Sequence, residues 1–355
     1  MRSVLASLSV SSFLMLACEH QEPSDLEVIP GAYVDYRYSP GLQPCTGNAA
    51  AVNAYSVYAA SALKIPLDEV PQLSFSWVTP EDLDSWTGGA CSHSCAIGRG
   101  AFSLSPVLYH ELAHAVFYGV NPRPAHFLSE GSATVLDPFQ LINFTKVGSR
   151  DPRHFLTDPS FSSGYYAMAG LFVAYLIQIH GIEKFLALYQ AIPRESNLSD
   201  WEGAFQAIYG ETLDNVVDDY LSSTECPPAV SPFPQFECDA PLLAPEGEGW
   251  SYGRSLDCDG DDVVGSIDSD VGRTTTVTFV VDNPGDYDVE FLVPPMPNSL
   301  MRIGACDECR WLPQESVLGG GQSARVTLEQ GRHFLTVRAF ETEPNDVFVS
   351  ITPAQ

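Results

Sequence analysis

Residues 110–114 read His110-Glu111-Leu112-Ala113-His114. On an α-helix, residues four apart lie one above the other on the same face, so both imidazoles can reach one metal ion. Glu111 then lies on the adjacent side of the helix, where its carboxylate can take a proton from a water molecule held by zinc. The stretch therefore predicts a zinc site in which His110 and His114 are ligands and Glu111 is the general base.

The residues on both sides support a helix at this position. Ser105 is a good N-cap residue and Pro106 fits the first helical turn, so a helix is predicted from here to about Tyr118. An apolar side for burial is supplied by Leu112, Ala113, Val116 and Phe117. The five-residue pattern also arises by chance, in about one chain in a hundred, and both histidines would then be ordinary surface residues.

A catalytic zinc ion also needs a third protein ligand, and a candidate follows in residues 127–133, Phe-Leu-Ser-Glu-Gly-Ser-Ala. The His-Glu-Leu-Ala-His stretch followed by this segment resembles the gluzincin metallopeptidases, which include the thermolysin and aminopeptidase N groups. The resemblance implies that Glu130 is the third ligand. Two neutral imidazoles and one carboxylate would leave zinc a net positive charge and an open position for water. The alternative is a Glu130 that faces solvent.

The resemblance covers about residues 104–221. Residues 165–176 (Tyr-Tyr-Ala-Met-Ala-Gly-Leu-Phe-Val-Ala-Tyr-Leu) are similar to a helix of gluzincin-like exported proteins. In relatives, a Tyr of this region can stabilise the oxyanion that forms when the carbonyl is attacked. The resemblance implies this role for Tyr166, with Tyr165 as the second choice. The alternative is that both are aromatic residues of the core.

One position departs from the thermolysin pattern. Thermolysin-like enzymes carry an Asp four residues after the ligand Glu, where it orients a ligand histidine, and this chain has Thr134 at that place. Histidines that bind zinc need such partners, so Asp137, two turns from Glu130, is the candidate for this task. A close relationship to thermolysin is therefore not expected.

The remaining pattern indicates an α+β fold. Alternating stretches predict strands at 32–39, 72–78 and 99–104. Further helices are predicted at 48–63, 124–136, 163–180, 182–192, 199–209 and 213–221. Ser199 with Glu202 forms a capping box for one of them. After a Pro-rich stretch that begins at Cys226, short alternating strands indicate a β-sandwich, at 274–281, 287–293, 325–328, 334–339 and 347–351.

We therefore expect five segments along the chain. They are a signal at 1–18, a polar tether at 19–30, a mostly helical zincin-like catalytic domain with a small sheet at 31–225, a linker at 226–245 and an all-β sandwich domain at 246–355.

The N-terminus predicts export. Arg2 is followed by an apolar run from Val4 to Ala17, which is too short to span a bilayer and is typical of a secretory signal. The run ends at Cys18 in a pattern that resembles a bacterial lipoprotein signal, so we expect a lipid on Cys18 and attachment to a membrane of the cell envelope. A plain signal peptide cut nearby is the alternative. The formal net charge of −28 disfavours binding to nucleic acid.

Eight cysteines remain once Cys18 is set aside, an even number that fits a set of disulfides in an oxidising compartment. Residues 306–309 (Cys-Asp-Glu-Cys) have the spacing of a redox motif, but their β-rich surroundings favour a structural loop. Residues 91–95 (Cys-Ser-His-Ser-Cys) have donors for a structural metal, although two disulfide cysteines beside an exposed His93 are the simpler interpretation.

Residues 257–262 (Asp-Cys-Asp-Gly-Asp-Asp) resemble the start of a calcium loop. Such a loop needs Gly at its sixth position and Glu at its twelfth, and this chain has Asp262 and Asp268 at those places. A solvated acidic turn is therefore favoured over a calcium site.

Together these features predict an exported, lipid-anchored zinc peptidase with one Zn²⁺ per chain, which hydrolyses a peptide or protein substrate with metal-activated water. The predicted strand at 99–104 would border the cleft, where an extended peptide can pair with it. The C-terminal domain would serve stability or targeting. The alternative is a non-catalytic, surface-binding lipoprotein with a structural or idle zinc site, although such a site has no need of Glu111.

Overall fold

A computed structural model describes nine stretches of the chain: 25–89, 91–138, 151–158, 162–223, 235–267, 272–293, 299–306, 316–339 and 346–355. The predicted signal, with Cys18, lies outside them. Within these stretches the chain forms eight α-helices and three β-sheets, which confirms the α+β class. None of these helices combines the length and apolar character needed to cross a membrane.

The helices, in chain order, are α1 (Gly47–Ala62), α2 (Pro80–Thr87), α3 (Tyr109–Tyr118), α4 (His126–Leu136), α5 (Tyr166–His180), α6 (Ile182–Ala191), α7 (Leu198–Ile208) and α8 (Leu213–Ser222). The strands are β1 (Glu27–Ile29), β2 (Val34–Tyr38), β3 (Leu73–Trp77), β4 (Ser94–Ile97), β5 (Gly100–Ser103), β6 (Trp250–Ser255), β7 (Arg273–Val281), β8 (Gly285–Leu292), β9 (Leu300–Ala305), β10 (Ser316–Gly319), β11 (Gln322–Leu328), β12 (Gly331–Ala339) and β13 (Asp346–Pro353).

The first sheet has the strand order β1-β2-β3-β5-β4. Its inner strands β2, β3 and β5 are parallel, whereas β1 and β4 pair antiparallel at the two edges. Three of these strands lie at the positions predicted from the alternating pattern, but β1 and β4 do not appear in that prediction. Strand β1 lies in the predicted tether 19–30, and β5, predicted to border the cleft, is an inner strand covered by β4.

Helix α3 starts later than its sequence predicts. The prediction that Ser105 caps the helix is wrong, since the first helical residue is Tyr109. The Tyr36 hydroxyl donates a hydrogen bond to the carbonyl of Pro106 at 2.9 Å, and the Ser105 amide donates to Ser103 Oγ at 2.9 Å. These contacts tie the segment before the helix to the sheet in a non-helical form, and α3 begins only beyond it.

Helices α4 and α5 pack in unusually close contact. A Cβ added to Gly131 on α4 would lie 2.7 Å from Val173 Cγ2 and 2.8 Å from the carbonyl oxygen of Ala169, both on α5. Only a glycine therefore fits this crossing without moving a helix. Because Gly131 follows Glu130 directly, the crossing fixes where Glu130 stands relative to α5.

Helix α7 begins from a different capping box than the one predicted. Asn197, not Ser199, is the N-cap, and its side chain accepts hydrogen bonds from the backbone amides of Ser199 and Asp200. The Asp200 side chain in turn accepts from the Asn197 amide at 2.8 Å. The prediction of Ser199 with Glu202 placed the box two residues too late, because Asn is at least as good an N-cap as Ser.

The C-terminal region is rich in β-structure, as predicted. Two four-stranded antiparallel sheets, β10-β9-β12-β7 and β11-β8-β13-β6, share one hydrophobic core. The five predicted strands correspond to β7, β8, β11, β12 and β13, whereas β6, β9 and β10 were not predicted. Fully buried members of this core include Phe279, Val281, Val289, Phe291, Leu335, Val337 and Val349.

This β-rich region is tied to the start of α1. Cys45, just before the helix, forms a disulfide with Cys258. The Asn48 side-chain oxygen accepts a hydrogen bond from the Gly265 amide at 2.7 Å. The two parts of the chain therefore share a covalent and a polar contact in addition to the Pro-rich segment that joins them.

Part of the predicted linker 226–245 is packed rather than free. The Phe236 ring lies 5.8 Å from the ring of Tyr55 and 5.4 Å from that of Tyr109. The next residue, Glu237, forms a buried ion pair with Arg302 of β9. This segment is therefore part of the contact between the helical and the β-rich regions.

Three disulfides account for six of the eight cysteines: Cys45–Cys258, Cys91–Cys95 and Cys238–Cys306. The sequence predicts that these cysteines form disulfides but leaves their pairing open, and the structure pairs Cys91 with Cys95. Because Cys306 is bonded to Cys238, residues 306–309 do not form a dithiol redox pair in this structure. Cys226 and Cys309 lie outside the described residues.

Candidate metal centre

Helices α3 and α4 bring three potential metal ligands together. His110 and His114 stand one turn apart on α3, and Glu130 faces them from α4. Glu130 Oε2 lies 3.2 Å from His110 Nε2 and 3.3 Å from His114 Nε2. One donor atom of each residue lies within 4.8 Å of the other two, so the group could hold a metal ion. In the described part of the chain, no other group of three His, Cys, Asp or Glu residues has donor atoms this close together.

The surroundings shift the pKa values of two of the three potential ligands. Burial raises the pKa of Glu130, but the charge of His114 and hydrogen bonds with three histidines outweigh this, so the pKa lies well below its usual range. Burial lowers the pKa of His110, whereas its hydrogen bond with Glu130 and the charge of Glu111 raise it, and the net shift is upward. The carboxylate is therefore held ionised, as a ligand must be, while protons compete with a metal for His110 at low pH.

The donor set fits zinc. Two imidazole nitrogens and one carboxylate oxygen are a usual ligand set of catalytic zinc sites, which keep one position open. The second oxygen of Glu130 is also contacted, since His126 Nε2 lies 3.3 Å from Glu130 Oε1. His126 therefore lies at the site and lines the same cleft as the three potential ligands.

The predicted outer partners of the histidines differ from those observed. His114 Nδ1 is hydrogen-bonded to Ser129 Oγ at 3.1 Å, and Ser129 is in turn hydrogen-bonded to Tyr189. Asp137 raises the pKa of His110 through its charge, but His110 Nδ1 has no hydrogen-bond partner among the described residues. Ser129, directly before Glu130, therefore takes the orienting role that the sequence suggested for Asp137.

Glu111 lies beside the cluster without joining it. It is buried, and its Oε1 accepts a hydrogen bond from Ser94 Oγ at 2.9 Å. Ser94 is the first residue of the edge strand β4 and lies within the short loop closed by the Cys91–Cys95 disulfide. Sequence reasoning missed Ser94, because the order of strands in the sheet, rather than any local pattern, places it against α3.

The two candidate tyrosines lie in different places. The Tyr166 ring stacks on His110, with centroids 5.6 Å apart and an interplanar angle of 4°, and its hydroxyl is hydrogen-bonded to Glu130. Burial and the charge of Glu130 raise the pKa of this hydroxyl, which therefore stays protonated as a hydrogen-bond donor. Tyr165 packs against Phe155 instead, with centroids 4.3 Å apart. Tyr166 is thus the tyrosine placed to act at the cluster.

An open cleft of about 480 Å³ leads to these residues. Residues of β4, of α3 and of the start of α4 line it, together with Tyr166 and Tyr189. Among the described residues lining the cleft, Glu111 and Glu130 are the only carboxylates. The volume lies within the ~300–1,000 Å³ typical of ligand sites in proteins.

The other predicted sites show ordinary contacts. In the suggested calcium loop, Asp262 pairs with Arg254 and Asp257 lies 4.0 Å from Arg273, as in a solvated acidic turn. Asp268 lies outside the described residues. His93 is exposed beside the Cys91–Cys95 disulfide, and its Nδ1 lies 3.3 Å from Ser92 Oγ.

Comparisons with known proteins leave the family open. No known protein family matches the chain, and no curated protein is similar to it. A weak similarity is found to the pre-peptidase C-terminal domain of a collagenase from Bacillus anthracis, at 15% identity and a TM-score of 0.22, covering 32% of this chain and 93% of that one. An isomalto-dextranase from Arthrobacter globiformis T6 in complex with panose matches at 14% identity and a TM-score of 0.18, covering 31% of this chain and 22% of that one. Neither likeness is high enough to assign a function.

Proposed function

We propose that this protein is a zinc-dependent peptidase whose metal is held by His110, His114 and Glu130. The observation that carries the proposal is Glu111, a buried carboxylate next to the three ligands and facing the same open cleft. A purely structural zinc site is closed by four ligands and has no use for such a group. A base beside a three-ligand site is the arrangement that metal-assisted hydrolysis requires.

The residues of this chain would divide the reaction as follows. Bound zinc would supply a Lewis acid that activates water and polarises the peptide carbonyl. Glu111 would take the proton of the attacking water and deliver it to the leaving amine. The hydrogen bond from Ser94 at 2.9 Å fixes the orientation of the Glu111 carboxylate. The Tyr166 hydroxyl, which stays protonated, would donate a hydrogen bond to the oxygen that becomes negative.

The edge strand β4 offers a place for the peptide backbone. It is the last strand of its sheet order, so within the described residues its outer edge pairs with no strand. Ser94, Cys95 and Ala96 of this strand line the cleft. An extended peptide can add to such an edge through main-chain hydrogen bonds, which do not depend on the side chains of the peptide. This strand replaces the inner strand 99–104 that the sequence suggested for the role.

The finer assignments follow from the same proposal. Residues 31–225 would be a zincin-like catalytic domain of gluzincin type, and residues 246–355 a β-sandwich accessory domain. Export and a lipid on Cys18 would attach the enzyme to the cell envelope.

The decisive experiment replaces the base but keeps the ligands. Glu111→Gln preserves size and can still accept a hydrogen bond from Ser94, yet removes basicity. General acid–base help contributes typically ~10²–10⁴-fold, so peptide hydrolysis should fall by about that factor. Zinc content and the circular dichroism spectrum should stay unchanged. Glu202→Gln, an exposed position on α7 outside the cleft, is the matched control and should keep full activity.

Two results would contradict the proposal. If the wild type cleaves peptides and Glu111→Gln cleaves them equally fast, Glu111 is not the base. If neither protein cleaves any member of a broad peptide library while zinc is bound and the fold is intact, the surface-binding lipoprotein becomes the better description.

A further inference from the structure

Two arginines that line the same cleft lie opposite each other in a short backbone pairing. The segment before α4 pairs antiparallel with the segment after α6: Pro124 is bridged to Pro193, and the Arg194 amide donates to the Arg123 carbonyl at 3.1 Å. This register places Arg123 directly opposite Arg194. Residues opposite each other in an antiparallel pair project to the same side, and both arginines line the cleft.

The position of this pair is fixed by the side chain of Asn121. Its oxygen accepts a hydrogen bond from the Arg123 amide at 2.9 Å, and its NH₂ group donates to the carbonyl of Tyr189 at 2.9 Å. Asn121 therefore joins the loop after α3 to α6, whose Tyr189 also lines the cleft. The backbone below the two guanidinium groups is thus held in place, so the pair forms a defined feature of the cleft wall.

Neither arginine of the pair has a carboxylate partner among the described residues, although the chain is rich in acidic residues. The chain has 17 Lys and Arg residues and 45 Asp and Glu residues, so carboxylates that could pair with an arginine are in excess. Six of the eleven arginines in the described stretches pair with carboxylates, namely Arg37, Arg153, Arg254, Arg273, Arg302 and Arg325. Arg123 and Arg194 have no ion-pair partner among the described residues, and like charges directly opposite each other destabilise a strand pair.

We propose that Arg123 and Arg194 form a subsite that binds a carboxylate of the substrate. This inference rests on the proposed peptidase function and names its substrate class: peptides with an acidic side chain, or a free C-terminal carboxylate, close to the cleaved bond. A guanidinium group presents two parallel N–H donors that match the two oxygens of a carboxylate. A carboxylate bound between the two guanidinium groups offsets their mutual repulsion, so binding is favoured electrostatically.

The test measures binding separately from hydrolysis. Binding of fluorescently labelled peptides is measured by anisotropy. The peptides share one sequence with an amidated C-terminus, and each carries a single Glu or a single Gln at one of several positions. One further peptide carries Gln and a free C-terminal carboxylate. The Glu111→Gln protein serves as the parent, because its peptides should stay uncleaved. The parent should prefer one Glu peptide or the free acid by about tenfold, which corresponds to ~1.4 kcal/mol. The preferred member distinguishes an acidic side chain from a C-terminal carboxylate.

Substitutions then assign the preference to the pair. Arg123→Gln with Arg194→Gln should reduce the ratio of acidic to neutral affinity to about one, whereas Arg325→Gln on β11 should retain it. Arg194→Glu should also abolish the preference while raising the melting temperature, because opposite charges then face each other. A purely structural role of the pair predicts a lower melting temperature instead.

The inference fails if the parent shows no preference, or if the double variant keeps it. The proposed function is judged by a different measurement, the Glu111-dependent cleavage of the neutral amidated peptide by the wild type. Cleavage without any acidic preference would leave the peptidase standing and remove the subsite. A preference that depends on the two arginines, without any cleavage, would support the carboxylate subsite and contradict the peptidase function.

Discussion

Replacement of Gly131 by Ala tests whether the α4–α5 crossing holds Glu130 in place. The new Cβ would meet the Ala169 carbonyl oxygen at 2.8 Å, and backbone cannot turn aside as a side chain can. The helices must separate by about 0.6 Å to bring this contact to the 3.4 Å at which ordinary contact begins. Overpacking of this kind costs ~1–3 kcal/mol, while the higher helix propensity of Ala returns ~1 kcal/mol.

The net expectation is a loss of about 1 kcal/mol in the free energy of unfolding. The relative loss of metal affinity should be larger than the loss of stability. Ligand distances in a metal site are fixed to within ~0.2 Å, and a shift of α4 would move Glu130 by more than that. A loss of about 10–100-fold is expected, as for other changes that disturb the support of a ligand. Urea unfolding of the metal-free protein and competition with a zinc chelator measure the two quantities.

Gly203→Ala is the matched control. Gly203 lies within helix α7, and a Cβ there would meet nothing within 4 Å. This variant should gain ~0.5–1 kcal/mol of stability and keep its metal affinity. The reasoning is refuted if Gly131→Ala matches Gly203→Ala in both measurements.

Four further predictions concern the site and its location. The purified mature protein should contain one zinc per chain by metal analysis, and His114→Ala should largely lose it; unchanged metal content would refute the ligand assignment. Tyr166→Phe should lower kcat by about 10²–10³-fold at unchanged zinc content if its hydroxyl stabilises the oxyanion, and an unchanged kcat would exclude that role. Ser94→Ala should reduce kcat several-fold, by ~1 kcal/mol, through the lost hydrogen bond to Glu111, and equal kcat would exclude that role. Cys18→Ser should release the protein from the membrane fraction or block its maturation.

The sequence predicts those parts of the site that depend on a single helix. His110, Glu111 and His114 are related by helical geometry alone, so their arrangement follows from spacing. Placing Glu130 opposite them required a resemblance to known enzymes, because nothing in the spacing determines how α4 crosses α3. The cluster of the three potential ligands is then observed directly.

The rest depends on contacts between distant parts of the chain. The Ser105 cap is a good local signal, yet Tyr36, 70 residues away from Pro106, draws that segment to the sheet. Strand β4 is short and covers β5 only through the strand order of the whole sheet. Such long-range pairing leaves no periodic signal in the sequence, which is why this strand escaped prediction.

The Cys45–Cys258 disulfide makes a closed covalent ring out of the larger part of the chain. Its two cysteines are 213 positions apart, and all three potential ligands as well as the Pro-rich segment lie inside it. A single cut by another protease anywhere within the ring opens it but leaves one covalently connected molecule. A nicked protein should therefore run as two fragments on a gel only after reduction. The ring also closes late, since Cys258 must leave the ribosome before oxidation can join it to Cys45.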